Sequence, residues 1–198
     1  WGIGERLNQN LDSGWIPQEM KKNIRPELFN STLHLPSMRS LEPGLEWVPC
    51  PSCNHPLIDL KLSQKSKDLK DVKIFQHKKV VIPNTKGYQV AVNDPFTIEE
   101  CLDFISSASI LITNSYHGMY WAYLLGVPTI CIPFSSGHYS FNGEISYCEP
   151  QCINDAVISK QKELESQKHY NSYSAQKRVI EHRLRSQSFY YKAMHFLS

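Results

Sequence analysis

The chain has 198 residues, of which 41% are hydrophobic and 20% charged, a balance that is typical of a globular protein and excludes a disordered one. Its formal net charge of +2 is too small to favour a nucleic-acid partner, and no apolar run is long enough to span a bilayer. Six cysteines in this length do not indicate a disulfide framework, so we expect a reducing, cytoplasmic compartment.

The first part of the chain is rich in proline and irregular. We expect residues 1–70 to be the remnant of an amino-terminal domain with a linker, because prolines interrupt every candidate helix there. One strand is predicted at 28–35, and Arg39 follows shortly after it. The polar stretch 61–70 is expected to be an exposed connection or a helix.

From residue 71 to residue 198 the pattern is that of alternating strands and helices. The segment 72–83 is typical of one or two strands, and 96–107 is typical of a helix that begins with a Thr97/Glu100 capping box. Further helices are predicted at 155–167 and 174–196. The alternation predicts an α/β domain with a Rossmann-like parallel sheet, flanking helices and a long terminal helix.

The segment from Ile110 to Phe134 is the most informative part of this domain. It predicts a buried strand at 110–113, a helix at 117–125 and a second buried strand at 129–132. Asn114 and Ser115 are favourable residues for the start of the helix. Ligands of parallel α/β sheets bind where strands end, and the start of a helix favours an anion.

The turn between this strand and this helix carries the residues with the most chemistry. The imidazole of His117 suits proton transfer near neutral pH. Gly118 allows a ligand or another backbone to approach closely, and the Ser115 hydroxyl with the turn amides could hold an anionic oxygen. The structural alternative is a capping turn with a histidine packed beneath it.

A second polar segment follows the second strand of this unit. Residues 135–143 are predicted to form a loop, which carries His138, and Glu144 lies just beyond it. Loops that follow strands face the ligand cleft, so both residues are candidates for substrate binding. The alternative is an ordinary surface loop.

Two cysteine pairs raise the question of a metal site. Cys50 and Cys53 have the spacing of half a zinc site, and Cys148 and Cys152 could supply the other half. The alternative is two thiols in a turn stiffened by proline. The looser second spacing favours that alternative, and we expect no metal.

The central segment also resembles the signature of the polysaccharide pyruvyl transferase family. The shared features are an apolar strand, a turn rich in Ser and Thr, His117-Gly118, and a helix of small residues that ends in Gly-Val-Pro at Pro128. The helix at 97–108 resembles the one that leads into this signature. Trp47 to Cys53 and Pro56 to Asp59 resemble a block of exopolysaccharide-biosynthesis members. The resemblance implies a GT-B-like architecture of two domains, of which this chain would be the later part.

The resemblance also implies a reaction. Family members transfer a pyruvyl (carboxyvinyl) group from phosphoenolpyruvate, as co-substrate, to a sugar hydroxyl and form a ketal, without a metal or organic cofactor. His117 would be the general acid, and Arg39 resembles a second family arginine that would contact the donor phosphate. The turn residues Asn114, Ser115 and Gly118 are candidates for contacting the same anionic donor because they lie at a helix start. The acceptor would be a saccharide, and a lipid-linked saccharide is one alternative. The protein would then act in the cytoplasm, with the inner face of the membrane as one alternative location.

The sequence also fits two other functions. One is a glycosyltransferase of the same fold that uses a nucleotide sugar. The other is a non-catalytic binding or assembly module. Many family members carry arginine two positions before the histidine, whereas this chain carries Ser115, and serine cannot replace a charged bidentate clamp.

Overall fold

The structure, a computed structural model, describes residues 37–38, 46–64, 71–94, 97–139, 141–166 and 172–197. Its strands are β1 (Ser37–Met38), β2 (Glu46–Trp47), β3 (Val72–Gln76), β4 (Gln89–Val92), β5 (Ile110–Thr113), β6 (Thr129–Cys131) and β7 (Ser146–Tyr147). Its helices are α1 (Leu57–Ser63), α2 (Ile98–Ser106), α3 (Tyr116–Leu124), α4 (Ser136–Tyr139), α5 (Ile153–Ser166) and α6 (Ser172–Leu197).

Contacts along the chain separate it into two units. The sheet unit comprises Pro56–Pro133 and Gly143–Gln176, and the helix unit comprises Trp1–His55, Phe134–Asn142 and Lys177–Ser198. The domain boundary that the sequence suggests between residues 70 and 71 stays a prediction.

A five-stranded parallel sheet forms the centre of the sheet unit, with spatial order β4-β3-β5-β6-β7. The predicted α/β class with its Rossmann-like parallel sheet is therefore confirmed. All four residues of β5 are buried, as expected for a central parallel strand covered on both faces. Helix α3 packs on β5 and β6 and is buried nearly all round, which explains why its sequence is mostly apolar and aromatic.

Most of the helices and strands predicted after residue 96 are confirmed within a residue or two. Helix α2 begins with the predicted capping box, in which the Thr97 hydroxyl accepts from the Glu100 amide and the Glu100 carboxylate accepts from the Thr97 amide. The Glu100 carboxylate also accepts from the Thr97 hydroxyl at 2.9 Å. The bonds that it accepts from the Thr97 amide and the Thr97 hydroxyl lower the pKa of Glu100. Strand β5, helix α3, strand β6 and helices α5 and α6 also lie where the sequence places them.

Other segments are confirmed, need correction or lie outside the described residues. The segment 72–83 contains one strand, which is one of the two predicted possibilities, and the Gln76 side chain accepts from the Ile82 amide beyond it. The polar segment after β6 was expected to be a loop but contains the short helix α4, Ser136–Tyr139. Strands β4 and β7 have no counterpart among the predicted elements. The strand at 28–35 and Arg39 lie outside the described residues.

Lys61 differs from its predicted exposed setting. It lies on α1, retains only 9% of its accessible surface, and forms an ion pair with Asp103 of α2. Lys73 is likewise buried in β3, where its ammonium donates to the Ser107 hydroxyl at 2.9 Å and lies over the Phe104 ring. Both ammonium groups are thus engaged in structural contacts.

The helix unit joins most of α6, from Lys177 onward, to the segment that ends at His55. The Trp47 ring of β2 meets the buried His182 ring edge to face, with centroids 5.1 Å apart. Arg183 donates to the Cys53 carbonyl at 2.8 Å, and Lys192 forms an ion pair with Glu46 at 2.9 Å. In the described part of the chain, every helix is too short or too polar to cross a lipid bilayer.

Candidate active site at the carboxyl edge of the sheet

The strand order creates a switch point between β3 and β5. From β3 the chain moves outward to β4, whereas from β5 it moves in the opposite direction to β6. Connections that leave neighbouring parallel strands in opposite directions open a crevice above the carboxyl ends of those strands, and ligands of open α/β sheets bind there. The turns after β3 and β5 therefore line the candidate site.

The turn after β5 is fixed by hydrogen bonds to Ser115. Its hydroxyl accepts from the Gly118 amide at 3.3 Å, as the N-cap of α3, and also from the Asn93 side-chain amide at 3.3 Å. The Ser115 amide donates to the Thr113 hydroxyl at 3.0 Å. Because Ser115 is 1% exposed, water does not compete for these hydrogen bonds, and they hold the start of α3 in place.

Asn114 ties the turn after β5 to the turn after β3. Its side-chain oxygen accepts from the His77 amide at 2.7 Å, and its side-chain nitrogen donates to the Val80 carbonyl at 2.9 Å. The side chain is fully buried. Because an unpaired buried amide is costly, both bonds strongly favour one arrangement of the two turns.

His117 is the second residue of α3 and is half-buried. Its ring lies 5.3 Å from the Trp121 ring and 6.1 Å from the Tyr116 ring, measured between centroids. Two aromatic neighbours restrict the imidazole to few orientations while part of it stays accessible. A half-exposed imidazole at the start of a helix, beside the switch point, is positioned to exchange a proton with an anionic ligand.

Gly118 packs against the sheet. A Cβ atom at this position would lie 2.6 Å from both Phe75 Cδ1 and Thr113 Oγ1. The close packing of α3 on the sheet therefore explains why this position is glycine.

A comparison with known families matches residues 9–136 to polysaccharide pyruvyl transferase. The match covers well over half of the 198 residues and includes both turns of the switch point. The chain belongs to the polysaccharide pyruvyl transferase family. It is therefore a transferase that acts on polysaccharides, and the family predicted from the central segment is confirmed. Searches of curated proteins and of solved structures found no match.

The remaining predicted site residues of this family member lie in different surroundings. His138 belongs to the helix unit, is 3% exposed, and has its Nδ1 3.0 Å from the Ser135 hydroxyl and its ring beside Phe134. Glu144 is exposed and precedes β7, whereas His117 follows the carboxyl end of β5. Their roles in substrate binding stay predictions, as does that of Arg39.

The cysteine pairs lie in separate units, with Cys50 and Cys53 in the helix unit and Cys148 and Cys152 in the sheet unit. Burial, reinforced by Cys152 and then Glu149, raises the pKa of the Cys148 thiol to about 11. Among the described residues, no three His, Cys, Asp or Glu side chains gather closely enough to hold a metal ion.

Several residues of the crevice were not identified from the sequence. His77 and Lys78 follow β3, while Asn93 and Asp94 follow β4, and all four lie at the same edge as His117. Lys78 forms an exposed ion pair with Asp94 at 3.5 Å. The signal that could have found them is the position of polar residues directly after a strand, which for Asn93 required β4 to be recognised.

Proposed function

We propose that the chain transfers a pyruvyl group from phosphoenolpyruvate to a sugar carrying two neighbouring hydroxyls. One sugar oxygen bonds to the enol carbon of the donor, and the methylene carbon gains a proton and becomes a methyl group. The second hydroxyl then displaces phosphate from the same carbon. The products are a cyclic pyruvate ketal and inorganic phosphate, and each sugar hydroxyl loses its proton.

The observation that carries this proposal is the position of His117 at the switch point of a family member. His117 would donate the proton to the methylene carbon. The positive end of the α3 dipole favours the negative groups of the donor, and the buried Asn114–Ser115 turn keeps the imidazole at a fixed place relative to them.

The proposal is tested with His117→Ala and a matched control, His195→Ala, which changes an exposed histidine on α6. Each protein is incubated with phosphoenolpyruvate and a panel of hexopyranosides with adjacent free hydroxyls. Phosphate release and ketal formation are measured. We expect the His117 variant to lose at least about 100-fold in kcat, since general acid catalysis contributes about 10²–10⁴-fold. The control should retain wild-type activity.

Donor identity is examined separately by calorimetric titration of the wild-type protein. We expect binding of phosphoenolpyruvate and none of nucleotide sugars. Binding of a nucleotide sugar instead would support the glycosyltransferase alternative, and binding of neither would support a non-catalytic module. Full activity of the His117 variant would remove the proposed general acid while leaving the family assignment intact.

A further inference from the structure

The crevice needs positive charge if it binds phosphoenolpyruvate, and this inference rests on that proposed function. The donor carries a carboxylate and a phosphate group whose charge at neutral pH is about −1.5 to −2. In the described part of the sheet unit, Lys78 and Lys79 are the cationic residues that directly follow a strand. Both lie after β3, at the switch point.

Other described cations of the sheet unit occupy different places. Lys61 is paired with Asp103, Lys73 is buried beside Phe104, and Lys160 is paired with Glu163. Lys162 is exposed on helix α5. Lys86 lies in the same connection as Lys78 but just before β4, which places it toward the opposite edge of the sheet.

The turn that carries the two lysines is held in place. The buried Asn114 side chain bonds to the His77 amide before the lysines and to the Val80 carbonyl after them. Inside the turn, the Lys79 amide donates to His77 Nδ1 at 3.2 Å, and the Val80 amide donates to the His77 carbonyl at 3.3 Å. The backbone is therefore fixed on both sides of the two lysines. This reduces the entropy that the turn loses when a ligand binds to their ammonium groups.

The two lysines differ in their partners. Lys78 forms an exposed ion pair with Asp94, so part of its charge is compensated. Lys79 is exposed and forms no ion pair with any described residue. We propose that Lys79, assisted by Lys78, holds the negative groups of phosphoenolpyruvate against the α3 start, and that Asp94 competes with the donor for Lys78.

The test measures the dissociation constant of phosphoenolpyruvate by calorimetry. Lys79→Ala should weaken binding roughly tenfold, the order of one hydrogen bond to a charged group. Lys79→Arg should restore most of the affinity because it restores the charge. Lys86→Ala is the matched control, since it removes an exposed lysine of the same connection, and its affinity should equal that of the wild type within about twofold.

The role of Asp94 gives a change in the opposite direction. Asp94→Asn should tighten phosphoenolpyruvate binding by about threefold, because it removes the carboxylate that competes for Lys78. The effect should disappear when Lys78→Ala is already present. Circular dichroism of each variant checks folding, which exposed substitutions should leave unchanged.

Different results would contradict the proposed function and the role of the lysine turn. A wild-type protein that does not bind phosphoenolpyruvate contradicts the proposed function. If the wild type binds it and Lys79→Ala, Lys78→Ala and Lys86→Ala all bind equally well, the proposed function stands and the role of the lysine turn is wrong.

Discussion

Gly118 shows how one residue links the signature segment to the packing of the fold. Its Cα carries no side chain, and a Cβ would enter the space of the Phe75 ring and the Thr113 hydroxyl, each 2.6 Å away. Thr113 cannot move freely because its hydroxyl donates a hydrogen bond to the Phe75 carbonyl and accepts one from the Ser115 amide. The start of α3 therefore approaches the sheet more closely than any residue with a side chain allows.

Gly118→Ala should lower the free energy of unfolding. Alanine normally stabilises a helix by about 1 kcal/mol relative to glycine. Overpacking in a close-packed interior costs about 1–3 kcal/mol, and two contacts of 2.6 Å place this site toward the upper end of that range. After the helix gain is subtracted, we expect a net loss of about 1–2 kcal/mol. Urea unfolding followed by circular dichroism measures it. The control is Ser159→Ala at an exposed position of α5, which should change stability by less than about 0.5 kcal/mol. A variant as stable as the wild type would contradict the packing argument.

Hydrogen bonds define the carboxyl end of helix α3, as they define its amino end. Gly126 has φ +64°, and its amide donates to the Tyr123 carbonyl at 3.2 Å. The Val127 amide donates to the Ala122 carbonyl at 2.8 Å. These two bonds form a Schellman motif, which satisfies the last carbonyls of the helix and requires a left-handed residue. The left-handed backbone of this motif thus explains the glycine of the Gly-Val-Pro sequence.

Gly126→Ala should destabilise the protein by about 1–2 kcal/mol, since a left-handed backbone costs that much for a residue with a Cβ. Gly126→Asn should cost less, because asparagine tolerates this conformation. Hydrogen exchange of the Val127 amide reports the motif directly, and it should accelerate in the alanine variant. Equal stability of the alanine and asparagine variants would contradict the backbone argument.

The same elements show which parts of the fold sequence patterns can predict. The β5–α3–β6 unit was predicted because apolar run, N-cap and glycine stop all agree locally. Strand β4 was not predicted because it is an edge strand, in which Gln89 and Val90 are exposed and only Ala91 is buried. Strand order depends on pairing between distant segments, so local sequence patterns do not predict it. The proximity of Asn93 to Ser115 depends on that order.

The pH changes the stability of the whole protein through the difference in bound protons between the folded and the unfolded chain. His182 is the clearest contributor among the described residues. It is 2% exposed beside the Trp47 ring, and burial lowers its pKa to about 4. Glu181 opposes this effect, while Arg185 and Arg178 add to it. The folded protein thus keeps His182 neutral at a pH where the unfolded chain protonates it.

Stability should therefore fall as the pH decreases from about 6.5 toward 4 and should be constant, for this group, above 7. Between pH 7.5 and 5.5 the expected loss is about 1.3 kcal/mol. Urea unfolding at both pH values measures it, and His182→Gln should remove that part of the pH dependence. His195→Gln, an exposed histidine on the same helix, is the control that should leave it unchanged. Equal pH dependence in the wild type and the His182 variant would show that the buried imidazole is not the group that destabilises the fold in acid.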